Sequence, residues 1–350
     1  MTATPTILGR DAPPPPHGFV DGVHALRAVA AFAIVVYHAG GSIAAPKYQG
    51  ITGVGLATNG LDVGVDLFFV ISGFVIALPW VTGRRLSLGR YLTHRLLRIY
   101  PMAMATAAVY LVANVVLFGR DATAGELASS FLLMPNGVDP QPFVLWTLKQ
   151  ELLFYALFAV VLATGMPGLV LLAAWGVASL TVEGTGGIGR WLLSEHNVQF
   201  LFGVAACALW HRGRPRPGVA PVLLVAGGAG VLAAGYGADR IAWPAEVWAV
   251  LAGLASGAMV LGAAWASTRV PRPILFLGTA SFSIYLIHYF FVSVGNKALT
   301  AVLPWLPGGG ALILLSAFAT LGGIGWYLVA ERPLEAWRRG RAARTGAVPA

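Results

Sequence analysis

Apolar runs long enough to cross a bilayer recur from one end of this 350-residue chain to the other, and they leave it little choice of fold. A helix needs about 20 consecutive apolar residues to traverse the hydrocarbon core of a membrane. Runs of this kind cover residues 24–43, 61–82, 99–118, 144–164, 168–183, 197–211, 219–237, 244–266, 274–296 and 309–330. No water reaches the backbone inside hydrocarbon, so each run must satisfy its own amides and carbonyls as a helix. The sequence predicts an all-α polytopic membrane bundle of about ten transmembrane helices. The two shortest runs, 168–183 and 197–211, are both needed to keep that number even. Composition agrees, since 57% hydrophobic residues against 11% charged lies far from the average of soluble domains.

The charge balance then orients the bundle. A net charge of +9 would suit a nucleic-acid partner, but no basic run is interleaved with exposed aromatics, and no nucleic acid is expected. The arginines sit between apolar blocks instead. With the N-terminus in the cytoplasm, most of the 23 Lys and Arg residues fall on the inner side, and the outer side receives Lys47, Arg120, Arg190, Arg240 and Lys297. That bias predicts cytoplasmic N- and C-termini in a multi-pass cell (inner) membrane protein, with membrane lipid as its surroundings. Residues 1–18 read as a mobile Pro-rich tail, 19–337 as one transmembrane domain and 338–350 as a basic cytoplasmic tail. The N-terminus lacks the basic-then-apolar pattern of a cleaved signal. The longest outer connection, 119–143, holds "LASSFLLM", which suits an interfacial or re-entrant helix. The single Cys207 lies in an apolar run, without a pair for a disulfide or a thiolate metal cluster.

Ionisable residues at membrane depth are costly, so those retained point to function. In "ALRAVAAFAIVVYHA", Arg27 and His38 are eleven residues apart, which on a helix is three turns plus about 20°: they share one face, roughly 16 Å apart. Asp62 and Asp66 open the second span at i and i+4. Glu151 lies about two turns into the fourth. On the drawn topology, His38 and these carboxylates all lie in the outer half. A carboxylate beside His38 would fix the imidazole's tautomer and suit a general base that takes a proton from a hydroxyl. At the inner face stand Arg84, Arg85, Arg90, Arg95 and Arg98, whose guanidinium forks suit phosphate groups as well as anionic lipid. A phosphate held near Arg27 and Arg98 would leave a flexible arm free to run up the bundle towards His38. No ligand spacing calls for a metal.

These segments together resemble the acyltransferase 3 family of integral membrane acyltransferases, over about Phe19 to Trp337. Arg27, ten residues and His38 match the family pattern of the first span. "GVDLFFVISGFVI" puts Asp66 at an acidic signature position, "RLLRIYP" resembles the basic segment opening the third span, and "WTLKQELLFY" puts Glu151 in the acidic slot. "LGTASFSIYLIH" and "AERPLEAW" resemble the closing segments. The chain departs from the pattern at the basic segment, where His94 precedes Arg95 in place of two fully basic residues.

The resemblance implies transfer of an acyl group, usually acetyl from acetyl coenzyme A or another acyl-CoA, to a hydroxyl of a sugar, glycan or glycosylated metabolite. It assigns His38, Asp66 and Glu151 to catalysis, with His38 as general base or acyl carrier. Arg27, Arg84, Arg85, Arg95 and Arg98 are assigned to the coenzyme, and Trp146, Tyr155 and His288 to substrate. Some relatives carry a fused extracytoplasmic domain; here direct action on the acceptor, or a separate extracytoplasmic partner, is expected. The rival from another class is a proton-coupled transporter of a small solute using the same intramembrane charges. Against it, the sequence has no inverted repeat and the Arg27–His38 stripe has no counterpart in the second half.

Overall fold

A computed structural model describes residues 19–84, 87–266 and 269–344. The N-terminal tail assigned to 1–18 lies outside the described residues, as does Arg85. All regular structure in the described residues is helical. In chain order the helices are α1 (Phe19–Ala44), α2 (Thr52–Thr58), α3 (Gly64–Val81), α4 (Leu88–Phe118), α5 (Ala124–Phe131), α6 (Trp146–Thr164), α7 (Met166–Thr181), α8 (Gly186–Leu192), α9 (Val198–His211), α10 (Val219–Ala238), α11 (Ala245–Trp265), α12 (Arg272–Val302), α13 (Gly308–Trp326) and α14 (Arg332–Arg344). The basic segment 338–350 therefore begins inside α14.

Nine stretches of the described residues are long and apolar enough to cross a membrane; α7, with 16 residues, is shorter. Two arrangements show that α7 crosses nonetheless. Its C-terminal half reaches the segment leading into α9, where Trp175 Nε1 donates to the Leu192 carbonyl (2.8 Å) and Asn197 Nδ2 donates to Ser179 Oγ (3.4 Å). That segment lies beside Trp146 at the start of α6, because His196 meets the Trp146 ring. So α7 returns the chain to the level at which α6 began. The second argument is global. α1 and α12 touch at Arg27–Ser281, His38–His288 and Ser42–Asn296, a nearly constant sequence offset, so they run parallel. Parallel helices need an even number of crossings from the first to the ninth, and the count fails if α7 is left out. The expected ten spans are thus present in arrangement.

Small residues set the closest approaches, since helices in lipid associate through packing rather than burial from water. A Cβ on Gly73 of α3 would press on the backbone of Phe200 in α9, and one on Gly203 of α9 would press on the backbone of Val70 and Phe74. The two helices interlock there with no room for a methyl. Gly278 on α12 does the same against the His24 carbonyl of α1. Three of these four helices, α1, α3 and α12, line the site with α4 and α6. The most buried stretches are 143–164 (67%) and 52–81 (61%), whereas α10 is 22% buried and turns Val222, Val225 and Leu232 outward.

The loop 119–143 folds outside this bundle. Thr123 caps α5, its hydroxyl accepting from the Glu126 amide while the Glu126 carboxylate accepts from the Thr123 amide. With eight residues, α5 is too short to cross and lies against α4. Lys149, at the start of α6, donates to Ser129 Oγ (2.6 Å) and the Val138 carbonyl (3.2 Å), which pins the loop to the bundle.

At one face of the bundle, Arg98 Nη1 donates to Glu331 (2.7 Å) and Glu335 (3.0 Å), tying α4 to the junction of α13 and α14. A turn of π-helix, Tyr327–Glu331, turns Glu331 inward, where it also accepts from Ser283 of α12 (2.6 Å). The N-terminal half of α1 and the whole of α14 share this arginine face.

Candidate active site

Between α1, α3, α4, α6 and α12 runs a cleft of about 820 Å³, counting its open mouth. At the arginine face it is lined by Arg27, Arg95 and Arg98; in its middle by Ser72, Glu151 and Tyr155; at the far end by Val65, Phe68, Phe69, Thr147 and Tyr285. A charged entrance leading to an aromatic end has room and cationic groups for the head of an elongated anionic ligand.

The arginines are held differently. Arg95 lies over the Tyr91 and Tyr155 rings, 5.7 and 5.4 Å from their centroids. Arg27 donates through Nε to Ser281 Oγ (3.2 Å). Arg98 spends Nη1 on two carboxylates and lies over Phe282 (4.7 Å). Arg84, exposed beyond the end of α3, is not among the residues lining the cleft.

Neither carboxylate expected beside His38 makes its hydrogen bonds there. Glu151 accepts from Ser72 Oγ and Tyr155 Oη, both at 2.6 Å, in the middle of the cleft. Asp66 bonds His196 Nδ1 (3.0 Å). The reason lies in α3: Asp66 is seven residues from Gly73, hence on the same helix face, and Gly73 faces α9. Asp66 therefore points at the segment entering α9.

His38 has a different partner. Its Nδ1 lies 3.0 Å from His288 Nε2 and 3.1 Å from the Ile34 carbonyl. His288 Nδ1 lies 2.6 Å from the Tyr285 carbonyl. A carbonyl can only accept, so His288 carries its proton on Nδ1 and its Nε2 is an acceptor. Both partners of His38 Nδ1 are then acceptors, and that nitrogen carries the proton. The lone pair is left on Nε2. A row of hydrogen bonds from Tyr285 through His288 thus fixes the tautomer of His38, with Tyr37 and Tyr289 edge-on to its ring.

The far end of the cleft stops one ring short of this pair. Phe68 and Tyr285, in edge contact at 5.6 Å, form that wall, and Tyr285 meets His288 behind it at 5.9 Å. Tyr285 is itself held by Thr147 Oγ1 (2.9 Å) and the Val144 carbonyl (3.0 Å). On the other flank, Phe69 meets Trp146 (6.1 Å) and Trp146 meets His196 (5.5 Å). Trp146, Tyr155 and His288, grouped in the sequence as substrate contacts, thus stand at the rim, in the cleft and behind its end wall. His196 was missed: its one signal was the polar run "SEHN", Ser194 to Asn197, at the mouth of an apolar span.

The fold and the cleft define a multi-pass membrane protein with a polar site buried among its helices. The family model for the acyltransferase domain matches residues 20–328, and the chain belongs to this acyltransferase family. It is an integral membrane transferase. The chain is 33% identical to the exopolysaccharide production protein ExoZ of Rhizobium meliloti, over 81% of this chain and 92% of that protein. It is 24% identical to the acyltransferase MdmB of Streptomyces mycarofaciens, over 88% and 89%. A putative peptidoglycan O-acetyltransferase of Bacillus subtilis, YrhL, is 29% identical over 43% of this chain and 25% of its own length. No solved structure is significantly similar to the chain.

Proposed function

We propose that this enzyme transfers an acetyl group from acetyl coenzyme A to a hydroxyl of a sugar, in a glycan or a glycosylated metabolite, with His38 as general base. The names of the relatives, an exopolysaccharide production protein and a putative peptidoglycan O-acetyltransferase, support a carbohydrate acceptor. The observation that carries the chemistry is the hydrogen-bonded row Tyr285–His288–His38, which leaves His38 Nε2 as a base with a fixed lone pair.

In this reading Arg27 and Arg95 take the phosphates of the coenzyme at the arginine face, and Arg98 holds the entrance in shape through Glu331 and Glu335. The pantetheine arm lies along the cleft, and the thioester reaches the Phe68–Tyr285 wall. Phe68, half-buried and free of polar bonds, swings aside to admit it, since Tyr285 is held by two hydrogen bonds. His38 Nε2 takes the proton of the acceptor hydroxyl as that oxygen attacks the thioester carbonyl. The C–S bond breaks, and the proton leaves with the coenzyme thiol. While His38 carries both protons, His288 Nε2 and the Ile34 carbonyl accept from its Nδ1. Glu151, fixed by Ser72 and Tyr155, lines the path of the arm and orients its amides.

Purified protein supplied with radiolabelled acetyl coenzyme A and a set of sugar acceptors tests this. Labelled ester should form, and His38→Ala should abolish it while the protein still inserts in membranes. Turnover near normal in His38→Ala would reject the mechanism.

A further inference from the structure

The mechanism above leaves one titratable pair without a task, and that pair stands at the rim of the cleft. Asp66 is buried, while the His196 side chain is 35% exposed. Asp66 takes His196 Nδ1 at 3.0 Å; His196 Nε2 has Glu195 as its nearest carboxylate, at 4.0 Å, beyond hydrogen-bond distance. One ring nitrogen is therefore fixed, and the other has no hydrogen-bond partner among the described residues, on a side chain that is about one third exposed. Beside it lie two aromatic rings: Trp146 at 5.5 Å from the imidazole, and Phe143, 44% exposed, at 6.5 Å from Trp146. The rim adjoins the cleft, because Val65 and Thr147, chain neighbours of Asp66 and Trp146, line its far end, and Phe69 touches both.

We propose that Trp146, Phe143, His196 and Glu195 form the acceptor subsite, which takes a pyranose ring with its C–H face on Trp146 and its hydroxyls on His196 Nε2 and the Glu195 carboxylate. The proposal rests on the reading that a sugar hydroxyl is the acceptor. A partly buried indole with an exposed phenyl ring beside it, next to a few polar groups, is a pattern that can bind a molecule with one apolar face and a polar edge. The subsite also separates the two substrates in space. The coenzyme enters among the arginines, the sugar docks at the opposite end, and the reacting hydroxyl reaches past Phe69 into the same cleft, where Phe68, once swung aside, opens the way to His38. Asp66 acts here through His196 and is a positioning residue.

Equilibrium binding of tritiated cellotetraose and tritiated chitotetraose to the full-length protein in lipid vesicles tests this, with radiolabelled acetyl coenzyme A bound in parallel. The wild-type protein should bind at least one tetrasaccharide. His196→Asn keeps a donor for Asp66 at the Nδ1 position and removes Nε2; it should weaken sugar binding by about tenfold. Trp146→Ala should do likewise. Both should bind acetyl coenzyme A within about twofold of wild type, which shows that they fold. A wild-type protein that binds neither tetrasaccharide overturns the proposal. So does a His196→Asn variant that binds sugar as wild type does, since Asp66 would then need only a donor. Failure to bind acetyl coenzyme A would instead reject the donor reading, which the sugar measurement does not touch.

Discussion

At the scale of single residues, the site replaces a carboxylate with a second imidazole. A carboxylate behind His38 would have held its tautomer and attracted its cation; His288 does the first and, being neutral, little of the second. His38 packs against the rings of Tyr37, His288 and Tyr289, and both partners of its Nδ1 are neutral acceptors. His288→Ala should lower kcat by about 10²-fold, the usual scale of one general acid–base contribution, while the KM for the acyl donor changes little. His288→Gln, whose side-chain oxygen can still accept from His38 Nδ1, should recover part of that loss, and His288→Leu none. Equal kcat in the Gln and Leu variants would show that the row of hydrogen bonds does not matter. The arginines should divide as well. Arg95→Ala should raise the donor KM several-fold, whereas Arg98→Ala removes the partner of the buried Glu331 and should cost about 2 kcal/mol, between the exposed and buried limits for an ion pair, read as a lower melting midpoint. Arg27, His38 and Glu151 were legible in the sequence as ionisable residues in apolar spans, and the arginine cluster as a basic segment between two of them. Their partners were not, because His288 meets His38 across 250 positions and only the packing of α1 on α12 sets that pairing. Asp66 was a partial case: its i+7 relation to Gly73 was in the sequence, but which helix that glycine faced was not.

At the scale of elements, the site is held by close packing of helices that contribute little else. α3 carries Asp66, Phe68 and Ser72 and is locked to α9 through Gly73 and Gly203. Gly203→Val would put a branched side chain against the backbone of Val70 and Phe74, and α3 would have to shift. A loss of roughly 1–3 kcal/mol is expected, together with reduced transfer, because the displaced helix carries the cleft wall. Gly309→Val, at a glycine with open space around its Cβ position, is the control and should change neither. Unaltered thermal stability in Gly203→Val would contradict the interlock. Hydropathy located the long spans well, yet placed α4 at residue 99, where the helix begins at Leu88 with Ser87 as its cap. The stretch "GRYLTHRLLR" is too charged to sit in hydrocarbon, so hydropathy reads it as loop. As helix it projects past the membrane and turns Arg95 and Arg98 to the cleft. The short α7 was the opposite case, a stretch with the hydropathy of a span and only 16 residues, whose crossing is settled by its neighbours.

At the scale of the whole molecule, the parallel pairing of α1 and α12 gives the site two unlike ends. Arg27 and His38 both face α12, the first at Ser281 and the second at His288, about three helix turns apart. The stripe in the first span therefore follows α12 from Arg27, in the cleft, to His38, behind its end wall. The arginine face carries Arg27, Arg95, Arg98 and α14, and the excess of basic residues in the inner connections is the ground for expecting this face in the cytoplasm. The far face carries His196, Glu195 and the pinned loop 119–143. A donor made and kept in the cytoplasm would then enter among the arginines, and an acceptor outside the membrane would meet the opposite rim without the coenzyme crossing. In sealed vesicles of uniform orientation, acetyl coenzyme A should support transfer only when present on the face that bears α14, a side fixed independently by protease access to a tag placed after Ala350. Arg95→Ala should weaken that activity from the same face and create none from the other. Equal rates with the coenzyme confined to the opposite face would reject the orientation, and with it the assignment of Arg27 and Arg95 to the coenzyme phosphates.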